Sequence, residues 1–289
     1  MTPPDWFLRN MAETPERKTV DIEGCPIETL TWGNLGKRGL LFVHGNGANA
    51  DWWSPIAPFF SADWRVGAYS FSGAGGSGWR QEYSMDQYGR EAVAAAEAMG
   101  LFEGPDKPWI VAHSMGAFMA GRGVSTAAGS RFAGLIVVDC GVQPPGRVMP
   151  PYKSKPKPGF ATLEEGMSRI RLAEGPTGIA PWMSEHIARH SLHQGKDGLW
   201  HRAFDPHVGE CLGAATGYVG GFDKSLETIG CRVDYLWGDH SPLMPPATVA
   251  HNRMLAPPGA RFVELTGASH NVMLELPLEF VAALRDLLQ

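Results

Sequence analysis

The stretch WIVAHSMGAF, residues 109–118, decides the fold, because it combines a strand, a sharp turn and the start of a helix. Its opening apolar run is typical of a parallel-sheet strand that is buried on both faces. Ser114 stands at the bend, with Ala112 two residues before it and Gly116 two residues after it. A nucleophilic serine on a tight strand-to-helix turn requires small residues at those two positions. Ser114 is therefore a candidate nucleophile, and a serine that only caps the following helix is the alternative.

Strands and helices alternate on both sides of this stretch. Patterning predicts strands at 19–24, 26–33, 39–45, 65–71, 134–140, 233–238 and 261–267, and helices at 86–100, 246–255 and 277–288. Asp86 is the expected cap of the helix at 86–100. This alternation predicts an α/β fold built on a doubly wound, mostly parallel sheet.

The alternation is interrupted between residues 142 and 230. Residues 143–159, QPPGRVMPPYKSKPKPG, are rich in proline and unsuited to regular structure. Helical patches follow at 163–174 and 182–195. We therefore expect a core made of residues 1–141 and 231–289, with residues 142–230 inserted as a helical lid on a proline-rich hinge.

Composition excludes several classes of partner. The net charge of −5 comes without clustered lysine and arginine, which argues against nucleic-acid binding. The N-terminus has no apolar leader and no apolar stretch reaches about 18 residues, so we expect a cytoplasmic protein with no membrane partner. The four cysteines form no C-x-x-C pair, so no zinc or redox motif is expected. The sequence leaves the oligomeric state open, and a homodimer is compatible with it.

Two further segments carry chemistry. FVHGNGAN, residues 42–49, follows a predicted strand and offers backbone N–H groups that could stabilise an oxyanion. We expect the N–H groups of Asn46 and Met115 to do so. His270, in LTGASHNVMLELP, follows the last predicted strand, from which a loop histidine can reach a serine on a neighbouring turn.

These residues resemble the α/β-hydrolase superfamily over nearly the whole chain. The resemblance includes HGNG, SGAGGSGW at 72–79, the AHSMG turn, the inserted lid and the terminal SHNVMLELP. It implies a serine, an acid and a histidine in that chain order, acting on a small acyl compound without a metal or an organic cofactor. The fit to the fold is specific, whereas the motifs say little about the substrate.

The acid is where the sequence departs from the family pattern. The usual position reads Gly238-Asp239-His240-Ser241, so a serine stands where the acid is expected. Asp139, at the end of the strand at 134–140, is the favoured substitute, because some superfamily members take their acid from there. Asp239 is the alternate acid, and the absence of any true acid is a third possibility.

The sequence also suggests a substrate pocket and a reaction. Aromatic and methionine side chains near the expected site could line an apolar pocket; the candidates are His44, Trp52, Trp53, Phe118 and Met183. We expect a serine hydrolase that cleaves a carboxylic ester or a related acyl compound through an acyl-enzyme. The alternatives are a carbon–carbon bond hydrolase, a cofactor-free oxygenase, or a ligand receptor with little turnover.

Overall fold

The computed structural model describes residues 2–147, 158–214 and 222–289. In chain order its strands are β1 (Glu16–Ile22), β2 (Cys25–Trp32), β3 (Arg38–Val43), β4 (Trp64–Tyr69), β5 (Trp109–His113), β6 (Gly134–Val138), β7 (Leu192–Gln194), β8 (Trp200–Arg202), β9 (Arg232–Gly238) and β10 (Phe262–Leu265). Within the described residues, one eight-stranded sheet has the order β1-β2-β4-β3-β5-β6-β9-β10, and β7 pairs with β8 separately.

The large sheet is parallel from β4 through β10. The pairs β1–β2 and β2–β4 are antiparallel. The carboxyl ends of the parallel strands therefore meet at one edge, which is where α/β sheets place their ligands. The predicted mostly parallel sheet is confirmed.

Helices pack on both faces of the sheet. In chain order they are α1 (Asp5–Ala12), α2 (Met85–Ala98), α3 (Met115–Val124), α4 (Leu163–Ser168), α5 (Pro181–His190), α6 (Pro206–Ala214), α7 (Phe222–Thr228), α8 (Pro246–Leu255), α9 (Val272–Glu275) and α10 (Pro277–Leu287). The predicted helix at 86–100 is α2, but its cap is Ser84, whose hydroxyl accepts the Gln87 N–H. Asp86 lies one residue inside the helix, in its first turn, and pairs with Arg122.

Two hydrophobic clusters cover the two faces. Along β3, Leu41 and Val43 belong to the cluster that includes α2 and α3, whereas Leu40 and Phe42 belong to the cluster that includes α1 and α10. This alternation follows from the two-residue period of a strand. It explains why the central strands are apolar throughout, since both of their faces are covered.

The predicted inserted region, residues 142–230, contains α4 to α7 and the β7–β8 hairpin. The first helical patch ends at Ser168, and the second ends at His190 and continues into β7. The hairpin was not predicted; it turns at Gly195 and Gly198, the latter with φ of 79°. Residues 148–157, most of the predicted proline-rich hinge, lie outside the described residues.

Among the described residues, no helix has both the length and the apolar character that crossing a membrane requires.

Candidate active site

Ser114 occupies the predicted turn between β5 and α3. Its backbone has φ of 53° and ψ of −127°, a conformation that a residue with a side chain adopts only at a cost of about 1–3 kcal/mol. Its N–H donates to the carbonyl of Val138 on the adjacent strand (2.9 Å). A Cβ atom at Gly116 would lie 2.3 Å from the His44 carbonyl oxygen, so only glycine fits there. The turn therefore requires the small residue that the sequence provides.

The loop after β3 lies directly against Ser114. A Cβ atom at Gly45 would lie 3.0 Å from the Cβ of Ser114. His44 fixes this loop from behind: its Nε2 accepts the Phe71 N–H (3.2 Å), so its Nδ1 carries the proton and donates to the Gly45 carbonyl (2.8 Å). Burial lowers the pKa of His44 to about 3, so this imidazole is neutral.

Asp139 and His270 are in direct contact. Nδ1 of His270 donates to Oδ2 of Asp139 across 2.7 Å, and Asp139 is fully buried. Because that contact places the ring proton on Nδ1, Nε2 of His270 is left as the basic nitrogen. Asp139 follows β6 with φ of 48°, another constrained backbone conformation for a residue with a side chain.

The serine in the usual acid position supports this carboxylate. The hydroxyl of Ser241 donates to Oδ2 of Asp139 (2.6 Å), and the N–H of Gly238 donates to Oδ1 (3.2 Å). Asp239, the alternate acid, accepts instead from the backbone N–H of Gly267 (2.8 Å). The structure therefore brings Asp139, and not Asp239, to the His270 ring.

A second histidine, which the sequence reasoning did not single out, holds the His270 backbone. Nε2 of His113 donates to the His270 carbonyl (2.9 Å), and the two ring centres are 4.7 Å apart. Burial keeps the pKa of His113 well below its usual value, with the nearby His270 acting in the same direction. His113 is therefore a neutral contact between the serine turn and the histidine loop.

Glu275 joins the histidine loop to the inserted region. Its buried carboxylate accepts three backbone N–H groups: Asn271 (3.1 Å) on Oε1, and Ser269 (3.0 Å) and Gly175 (2.6 Å) on Oε2. Asn271 adds a contact to the same segment by donating to the Ala173 carbonyl (2.8 Å). Glu275 lies within the SHNVMLELP run of the sequence analysis, but only the fold reveals its three partners.

A cavity of about 300 Å³ lies above these groups, at the small end of the range for ligand pockets. Ser114, His270, Asn46 and Met115 all line it, together with two of the predicted pocket residues, Trp52 and Phe118. Among the described residues, no hydrogen bond joins the Ser114 hydroxyl to His270. Such contacts often tighten only when a substrate is bound.

Three of the predicted pocket residues are not among those that line the cavity. His44 lies behind the loop after β3. Trp53 is fully buried and stacks on Phe42, with ring centres 4.6 Å apart. Met183, on α5, is fully buried in the hydrophobic cluster on the α10 face of the sheet. Their side chains pack inside the protein. The apolar pattern of the sequence alone does not distinguish such packed side chains from those that line a pocket.

Known proteins share this architecture. The sequence pattern of the alpha/beta hydrolase family matches residues 40–284. This chain belongs to that family. Among solved structures similar to this α/β hydrolase is the thioesterase domain from the curacin biosynthetic pathway, with 22% identity, a TM-score of 0.72, and coverage of 95% of this chain and 99% of that one. An esterase from Mycobacterium tuberculosis has 18% identity, a TM-score of 0.71, and coverage of 100% and 99%.

One curated relative matches part of this α/β hydrolase. It is the pimeloyl-[acyl-carrier protein] methyl ester esterase of Edwardsiella ictaluri, which is 34% identical over 80 residues. The match covers 27% of this chain and 31% of the relative, so it spans less than a third of that protein's length. The solved structures, at their low identity, support the fold alone.

Proposed function

We propose that this α/β hydrolase is a serine hydrolase that cleaves a carboxylic ester through an acyl-enzyme. The observation that carries the proposal is the contact between Nδ1 of His270 and the buried Asp139, next to a cavity that Ser114 also lines. A carboxylate in this position orients the ring and stabilises the imidazolium that forms when the ring takes up a proton. Nε2 is then available to accept the proton of the Ser114 hydroxyl.

The proposed reaction has two halves. Ser114 attacks the ester carbonyl while His270 takes its proton, and the negative charge that develops on the carbonyl oxygen is stabilised by the N–H groups of Asn46 and Met115. The tetrahedral intermediate collapses, the C–O bond breaks, and the alcohol leaves with the proton from His270. A water molecule, deprotonated by His270, then attacks the acyl-enzyme, and the carboxylic acid is released as the proton returns to Ser114.

The strained turn at Ser114 supports this role. A positive φ at a residue with a side chain persists only where the surroundings impose it, and such residues cluster at active sites. The curated relative adds support over the 80 residues that it matches, since it is named a methyl ester esterase. The cavity of about 300 Å³ favours a small substrate.

The test is to trap the acyl-enzyme. We expect p-nitrophenyl acetate to give a burst of p-nitrophenol close to one equivalent of enzyme, and a fluorophosphonate to label Ser114, as located by peptide mass spectrometry. Ser114→Ala should abolish both signals. Ser125→Ala, at the far end of α3, is the matched control and should keep them.

Folded wild-type protein that shows neither a burst nor a label would overturn the proposal. It would favour a cofactor-free oxygenase or a receptor, because neither requires a serine acyl-enzyme.

A further inference from the structure

The cavity above Ser114 has a positively charged edge. Among the described residues that line it, Arg171 carries a guanidinium, and no aspartate or glutamate is present. Apolar side chains form much of the rest, including those of Trp52, Phe118 and Leu243. A guanidinium is charged at every physiological pH, so Arg171 adds a fixed positive charge to the lining of this cavity.

One edge of the Arg171 guanidinium makes no hydrogen bond to any residue that the structure describes. One terminal nitrogen, Nη1, donates to the carbonyls of Ser168 and Ile170. In the part of the chain that the structure describes, Nε and Nη2 make no hydrogen bond, and no carboxylate lies within 4 Å of the group. An arginine edge of this kind matches the two oxygens of a carboxylate.

The segment that carries Arg171 is attached to the loop of the proposed general base. The carbonyl of Ala173 accepts from Asn271, and the N–H of Gly175 donates to Glu275 (2.6 Å). Thr177 adds two hydrogen bonds to the Gly267 carbonyl, one from its hydroxyl (2.8 Å) and one from its N–H (3.3 Å). These contacts limit how far the backbone beside Arg171 can move relative to His270, as a selective binding group requires.

We propose that Arg171 binds a carboxylate on the substrate, so that the preferred esters are half-esters of short dicarboxylic acids. The inference rests on the proposed function and names the substrate class of the same site. The scissile ester would lie at Ser114 and the free carboxylate at Arg171, inside a cavity of about 300 Å³. The reaction itself is unchanged, because the carboxylate only binds.

The experiment compares matched pairs of esters. The monomethyl esters of succinic, glutaric and adipic acid are paired with neutral methyl esters of equal chain length, and kcat and KM are measured for each. We expect wild-type enzyme to prefer at least one half-ester over its neutral partner. In Arg171→Ala we expect the ratio of kcat/KM within that pair to fall about tenfold to a hundredfold, mainly through KM, because hydrogen bonds to a charged group are lost.

Two variants sharpen the test. Arg171→Lys keeps the charge but loses the two-pronged edge, so an intermediate ratio is expected. Arg169→Ala is the matched control: this arginine is also exposed, lies two residues away and is not among the residues that line the cavity, so the wild-type ratio should persist.

Failure of this inference is distinguishable from failure of the proposed function. If the fluorophosphonate labels Ser114 but wild-type enzyme shows no half-ester preference, or if Arg171→Ala and Arg169→Ala give equal ratios, the inference is overturned alone. If Ser114 is not labelled and no ester is cleaved, the proposed function is overturned as well. A second readout uses the Ser114→Ala protein, whose melting temperature should rise with added monomethyl glutarate and should not rise when Arg171→Ala is also present.

Discussion

The two sides of the cavity are built in different ways. Its floor consists of the loops at the carboxyl ends of the parallel strands, which carry Ser114, Asp139 and His270. Hydrogen bonds to neighbouring strands and to a buried histidine hold the backbones of these three residues. Its roof, residues 171–173, comes from the inserted region, is largely exposed, and is attached by hydrogen bonds to the histidine loop. The proposed chemistry therefore depends on the floor, and the proposed selectivity depends on the roof.

The largest effect should come from the acid in the floor. We expect Asp139→Asn to lower kcat about 10⁴-fold, as the loss of a triad acid does in serine proteases, because the imidazolium loses its carboxylate partner. Asp239→Asn should change kcat less than tenfold, since Asp239 contacts Gly267. Ester hydrolysis by both variants, with circular dichroism to check folding, measures this. Similar small losses in the two would contradict the assignment of Asp139.

A smaller effect should come from moving the carboxylate from position 139 to position 241. Ser241 donates to Asp139 across 2.6 Å, so a carboxylate at position 241 would lie near the same ring. We expect Asp139→Asn/Ser241→Asp to recover about tenfold to a hundredfold of the kcat lost in Asp139→Asn. The control is Asp139→Asn/Ser241→Ala, which should recover nothing. Equal rates in the two double variants would show that the pocket at His270 cannot accept an acid from the later loop.

The hydrogen bonds of Glu275 between floor and roof should affect both the free energy of unfolding and kcat. Glu275→Gln replaces a carboxylate that accepts three N–H groups with an amide that has one acceptor oxygen. Buried donors left unpaired should lower the free energy of unfolding by about 1–3 kcal/mol, and kcat should fall because one of the two neighbours of His270, Ser269 or Asn271, loses its acceptor. Urea unfolding and ester kinetics measure the two effects. Glu279→Gln, an exposed change on α10, should leave both at wild-type values.

The smallest effect concerns the pH dependence of stability. His44 is buried with a pKa of about 3, whereas in the unfolded chain it takes up a proton near pH 6.5. Between those values the unfolded state binds more protons, so stability falls as the pH falls. We expect His44→Asn to reduce this slope by up to about 1.4 kcal/mol per pH unit. Urea unfolding at several pH values from 6 to 4.5 measures it, and parallel curves would show that His44 is not held neutral.

Much of the floor could be predicted from the sequence because its signals are local. The turn at Ser114 requires small neighbours, and the structure shows that a Cβ atom at Gly116 would collide with the carbonyl of His44. The central strands were found because burial on both faces gives unbroken apolar runs. The catalytic roles of Ser114 and His270 are predictions that the acyl-enzyme experiment tests.

The roof and its connections could not be predicted in the same way, because they depend on contacts between distant segments. Glu275 reaches Gly175, a hundred residues away along the chain. The choice between Asp139 and Asp239 depends on which loop passes beneath the ring, and both loops contain a carboxylate. Trp53 and Met183 are residue types that often line pockets, but here they lie in the core. No local sequence pattern distinguishes a pocket-lining side chain from a core side chain.

The contact between Ser241 and Asp139 has a consequence for how distant relatives are recognised. β6 and β9 are neighbours with Val138 opposite Leu236, so the loops that follow them converge on one point beside the imidazole. We therefore expect that an aspartate on either loop, with a serine on the other, can contact the same histidine. A survey of genomes that accepts an acid only after the later strand would overlook chains of this kind.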